Sequence, residues 1–103
     1  MANFVTAAKT SDIEPGTVQV VEVNGARIAL CNVDGSFYAI DDVCTHDGGP
    51  LDQGELEGDQ IECPRHGALF DVKTGRALTL PAVVPVKTYP VQVEGDDVKV
   101  SVG

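Results

Sequence analysis

The chain has 103 residues, 43% of them hydrophobic, and seven Lys and Arg stand against sixteen Asp and Glu for a formal charge of −9. That apolar share excludes a disordered chain, and the length suits one domain over residues 1–103. So negative a surface repels phosphate backbones and anionic membranes, which argues against nucleic-acid or membrane binding and for a protein partner with a basic docking patch.

Met1-Ala2-Asn3-Phe4-Val5 has neither a basic n-region nor an apolar h-region, and no apolar run reaches membrane-spanning length. The expectation is a soluble cytoplasmic protein, monomeric. The three cysteines are an odd number and two of them stand close to histidines, a pattern of metal binding rather than of a secreted disulfide framework.

In chain order, short β-branched runs alternate with turn residues, and apolar residues nowhere recur at helical spacing. Residues 3–8 form a first strand. Glu14-Pro15-Gly16 turns the chain into a strand carrying Val18, Val20, Val21 and Val23. Asn24-Gly25 suits a two-residue hairpin turn, Ala26–Val33 returns, and Asp34-Gly35 turns again into Ser36–Asp41. From Asp42 to about Gly58 the alternation stops, and Gly48, Gly49, Pro50 and Gly54 predict a loop rather than a strand. Residues 60–63 are extended, Pro64 and Gly67 impose a second tight loop, and Leu69-Phe70-Asp71 resumes strand character. Lys73-Thr74-Gly75 turns, and residues 80–85 form a proline-bracketed loop. In the last hairpin Tyr89, Val91 and Val93 precede the turn Gly95-Asp96, and Val98, Val100 and Val102 follow it, so that one valine face is expected to be buried. The fold class is all-β: a small antiparallel sandwich or barrel with a loop subdomain inserted at about residues 42–71.

That insert carries the chemistry. Cys44-Thr45-His46 opens it and, after 16 further residues, Cys63-Pro64-Arg65-His66 follows; both histidines of the chain lie in these two motifs. The same four side chains would serve a tetrahedral Cys₂His₂ zinc site, and a Cys–His nucleophile pair is open on composition but leaves the second pair unexplained. In a zinc finger, however, cysteine neighbours cysteine and histidine neighbours histidine. Here each loop supplies one of each, so two cysteines converging on one metal leave two histidines for a second. Imidazoles in place of thiolates lower the ligand charge of a two-iron site and raise its potential.

Cys44-Thr45-His46, Gly48, Pro50-Leu51, Cys63-Pro64-Arg65-His66-Gly67, Phe70-Asp71 and Thr74-Gly75 together resemble the Rieske iron–sulfur domain, and the likeness extends in general pattern over the whole chain. The resemblance implies a [2Fe-2S] cluster held by Cys44 and Cys63 on the inner iron and His46 and His66 on the outer, with the 80–85 loop packed over it. Rieske proteins of cytochrome bc complexes carry one further cysteine in each loop and a serine after the second. The corresponding residues here are Gly49, Arg65 and Ala68, which implies the low-potential soluble type, roughly −150 mV. Arg65 stands where ferredoxins of dioxygenase systems commonly have tryptophan.

Of the remaining candidates, Cys31 is expected as a small buried hydrophobe in a strand away from both loops. Tyr89 reads as core, with a hydrogen bond to a cysteine sulfur as the alternative. Arg65 is a docking contact or an exposed cation, and Asp47 a solvated loop residue. Gly48, Gly49 and Gly67 are expected to let amide N–H groups approach the sulfides. The resemblance implies a non-enzymatic one-electron carrier between an NAD(P)H-dependent flavoprotein reductase and a non-haem iron oxygenase. A small subunit of a nitrite-reductase-type complex and a zinc-stabilised interaction module are the alternatives.

Overall fold

The computed structural model describes residues 4–45, 49–64, 67–80 and 84–102. Two-residue turns organise most of it. Asn24 and Gly25 both have positive φ (49° and 84°), as do Asp34 and Gly35 (52° and 90°). These are the backbone conformations of type I′ turns, whose twist matches that of the strands they join. They connect β2 (Val18–Val23), β3 (Ala26–Val33) and β4 (Ser36–Asp41) into the expected antiparallel meander. At Gly95-Asp96 only the first residue has positive φ, which serves the turn between β9 (Val91–Glu94) and β10 (Asp97–Ser101).

The described strands form three antiparallel sheets. β1 (Phe4–Lys9), β10 and β9 make the first; β2, β3, β4 and β8 (Thr88–Tyr89) the second. The third joins β5 (Leu56–Glu57), β6 (Gln60–Glu62) and β7 (Leu69–Asp71). The first strand ends one residue later than expected, with a bulge between Thr6 and Ala8; its expected first residue, Asn3, lies outside the described residues. β1 approaches β2, and β4 approaches β9, which draws the first two sheets toward a closed barrel.

Three expectations are corrected. The stretch from Asp42 to Gly58 is not all loop, because Leu56–Glu57 pairs with Gln60 and Ile61 across a turn at Gly58-Asp59. Val93 is 47% exposed although it lies opposite buried Val98, because β9 is the edge of its sheet and leaves Val93 at the rim. Cys31 does not lie apart from the loops. β3 is buried continuously over residues 28–32. Ile28 and Leu30 belong to the barrel core with Ile13, Ala39, Tyr89, Val98 and Val100. Ala29 and Cys31 point the other way, into a core shared with Cys44, Leu51, Ile61, Cys63, Ala68 and Phe70. A strand covered on both faces has no polar side, which is why its sequence, Ile28-Ala29-Leu30-Cys31, does not alternate.

Candidate metal centre

The two cysteine loops are built alike. The Cys44 N–H donates to the Gly49 carbonyl at 2.7 Å, and the Cys63 N–H donates to the Ala68 carbonyl at 2.7 Å. Each cysteine thus opens a six-residue loop, 44–49 and 63–68, whose neck is closed by a backbone hydrogen bond from the cysteine N–H, and each loop contains one histidine. Cys44 and Cys63 are 1% and 0% exposed and share one apolar core. His46, Asp47, Gly48, Arg65 and His66 lie outside the described residues. Among the described residues, no group of three or more His, Cys, Asp or Glu side chains stands together.

Loop 63–68 is the tip of the β6–β7 hairpin, where Glu62 pairs with Leu69, Ile61 with Phe70 and Gln60 with Asp71. Ile61 and Phe70 face the core fully buried, each worth about 2 kcal/mol of apolar transfer. Gly67 adopts φ 73° and donates its N–H to the Cys63 carbonyl at 2.9 Å. Its amide serves the loop's own turn. Ala68 is buried and has no hydroxyl to bond a cluster sulfur.

Loop 44–49 leaves the end of β4, and below its neck stands Asp42. The Asp42 Oδ1 accepts N–H bonds from Leu51 (2.9 Å) and Asp52 (2.7 Å), and Oδ2 accepts one from Arg27 Nε (2.8 Å). Sequence reasoning passed over Asp42. The preceding acid faces elsewhere: Asp41 Oδ1 accepts the Tyr89 hydroxyl at 2.6 Å, and burial together with that bond pushes the phenol up to about 12. Tyr89 is thus core, and its partner is a carboxylate on β4 rather than a cysteine sulfur. Burial first, and the neighbouring Asp42 second, raise the pKa of Asp52, whose Oδ1 is buried without a hydrogen-bond partner.

The Thr45 hydroxyl donates to the Val84 carbonyl at 2.6 Å, tying the end of the proline-bracketed loop to the first cysteine loop. Leu80 and Val84 are 78% and 54% exposed, and residues 81–83 of that loop lie outside the described residues. Two glycines admit no side chain. A Cβ on Gly54 would stand 1.6 Å from the Glu62 carbonyl oxygen, and one on Gly75 would stand 2.1 Å from that of Val86. These are the crossings where the insert folds back on itself and on the chain leading to β8.

Cys31 is a buried thiol whose pKa burial pushes up to about 12, so it stays protonated. It fills space in the core it shares with Cys44 and Cys63. The donor set suits an iron–sulfur group: two cysteines in one water-poor core, each in a closed loop that carries a histidine.

A family model for the Rieske [2Fe-2S] domain matches residues 3–90. The chain is 49% identical over 92 residues to the ferredoxin component of the naphthalene 1,2-dioxygenase/salicylate 5-hydroxylase systems of a Ralstonia species, covering 89% of this chain and 88% of that protein. Among solved structures it is similar to the ferredoxin of carbazole 1,9a-dioxygenase from Nocardioides aromaticivorans IC177, with a TM-score of 0.91 and 35% identity over 95% of this chain and 96% of that one. It is also similar to a chain in the complex of reduced oxygenase and oxidized ferredoxin in carbazole 1,9a-dioxygenase, with a TM-score of 0.90 and 39% identity over 95% and 92%.

Proposed function

This chain belongs to the Rieske [2Fe-2S] domain family, and from that premise we propose that it is a ferredoxin, a one-electron carrier that takes electrons from an NAD(P)H-dependent flavoprotein reductase and delivers them to a non-haem iron oxygenase. The observation that carries the reading is the pair of six-residue loops that bring two buried cysteines into one core, each loop with a histidine. In this reading Cys44 and Cys63 hold one iron and His46 and His66 the other. When bound, the cluster supplies a one-electron couple.

The chain's own contribution is rigidity and exclusion of water. Both cysteine backbones are pinned, the core around them is apolar, and a fixed site reorganises little when one charge is added. The chain acts as a carrier with no substrate-converting site: its two histidines are both used, and a further two-His-one-carboxylate iron centre has no ligands left. The whole chain works as one cytoplasmic domain and as a monomer. Arg65 stands between two of the proposed ligands in sequence.

The test is the purified protein. A red-brown solution whose reduced form gives the low-average-g electron paramagnetic resonance (EPR) signal of a mixed His/Cys cluster is expected, with reduction by a flavoprotein reductase slowing as salt rises. The slowing follows from a formal charge of −9 meeting a basic patch. A colourless protein with stoichiometric zinc after anaerobic purification would overturn the reading.

A further inference from the structure

We propose that Asp42 is the positioning residue of the first cysteine loop: its buried carboxylate closes loop 44–49 from below, doing with a side chain what the β6–β7 ladder does for loop 63–68. The proposal rests on the ligand reading above.

β4 ends at Asp41, and the chain after the neck forms no strand until Leu56. Among the described residues the β3–β4 ladder stops at the pair Ile28 and Asp41, three residues before Cys44. Beyond it, the two N–H groups that end the arc, those of Leu51 and Asp52, converge on Asp42 Oδ1, while Arg27 on β3 holds Oδ2. The Asp42 N–H also donates to the Arg27 carbonyl at 3.1 Å, so the backbone at this point is fixed to β3 as well. The side chain of Asp42 is 0% exposed and that of Arg27 60%. The carboxylate is thus a buried acceptor surrounded by donors, two of them on the segment that leaves the loop just after its neck.

Only a carboxylate fits. Asparagine offers one acceptor atom and one donor group. Its amide would point either at Arg27 Nε or at the two backbone N–H groups, and a donor would face a donor in both cases. Since Cys44 follows two residues later, a shift here displaces the first ligand of the reading above. Removing the groups that orient a metal ligand typically weakens metal retention by about 10- to 100-fold.

The test uses the cluster-loaded full chain in four forms: wild type, Asp42→Asn, Arg27→Gln, and Asn32→Ala as a comparison. Asn32 is as buried as Asp42, but its amide serves Ile13 and Gly35, away from both cysteine loops. Three quantities are read: the g-values of the reduced cluster, the half-time of iron loss to a chelator, and the thermal midpoint. Asp42→Asn is expected to move the g-values and shorten the half-time about tenfold or more. Arg27→Gln, which frees only one carboxylate oxygen, is expected to shift both in the same direction by less. Asn32→Ala is expected to lower the thermal midpoint with wild-type g-values. The proposal fails if Asp42→Asn keeps the wild-type g-values and loses iron only in proportion to its thermal midpoint, as Asn32→Ala does. If Asp42→Asn does not fold, Arg27→Gln decides, and wild-type g-values and half-time there overturn the proposal. A wild-type protein without the mixed-ligand signal fails the ligand reading and the positioning role with it; a normal wild type with indifferent variants fails the positioning role alone.

Discussion

Loops 44–49 and 63–68 have the same length, the same neck and the same load, one cysteine and one histidine each, yet they stand on different foundations. Below Cys63 lies a ladder of backbone pairs backed by Ile61 and Phe70. Below Cys44 the β3–β4 ladder stops at Asp41 and one carboxylate continues the support, while beside it a threonine hydroxyl holds the neighbouring loop. A ladder distributes its support over many groups, so no single side chain removes it. A side-chain staple concentrates support, so single substitutions reach it. The lesson is that two halves of a nearly symmetric site can differ sharply in how easily they are detuned.

The strongest way to test the common half of this comparison is to remove the cysteines. Cys44→Ala and Cys63→Ala should each abolish stoichiometric iron and sulfide, read by metal analysis and visible absorbance. Retention of full iron by either variant would show that its cysteine is not a ligand. Next in size is Gly54→Ala, which drives a methyl into the Glu62 carbonyl just ahead of Cys63. It should cost on the order of 3 kcal/mol in urea unfolding and disturb both loops, because it sits where the outflow of one crosses the strand feeding the other. Thr45→Val keeps the shape and removes the bond to Val84, a loss of about 1 kcal/mol. It should speed proteolysis within residues 80–85 while the amides of β6 and β7 exchange as before. Equal loosening of both regions would erase the asymmetry.

The smallest effect concerns Asp52. Its pKa is raised above 3.8, so the carboxyl's contribution to stability is complete below that value and is lost as pH rises through the folded pKa. At neutral pH the ionised Asp52 therefore opposes folding. Asp52→Asn should stabilise the fold there by roughly 0.5 kcal/mol and flatten the acid limb of the stability profile. A destabilised variant at pH 7 would contradict the cost of burying an ionised Asp52 beside Asp42.

Much of the scaffold was legible because its turns are chemically explicit. Asn24-Gly25 and Asp34-Gly35 need positive φ at both residues and announce it. The Gly58-Asp59 hairpin carries the same dipeptide as Gly95-Asp96, but its arm Leu56–Glu57 is too short to show alternation, so the turn signal had nothing to attach to. The face of Cys31 was hidden for the opposite reason: a strand buried on both sides has no period to read. The ligand motifs stood out by residue type and spacing. Asp42 did not, because Asp41-Asp42 looks like a solvated pair, and only the tertiary placement of Tyr89 on one side and Leu51 on the other separates them.

β3 gives the molecule one property beyond its architecture. Its residues 28–32 form the party wall between the barrel core and the core around the cysteines. Neither room can be emptied without stripping a face of that wall, so opening one weakens the other. Unfolding is then a single cooperative event, and slow hydrogen exchange along β3 should report on both cores at once. Filling the metal site thus lends its binding free energy to valines on the far side of the sheet that never approach a ligand.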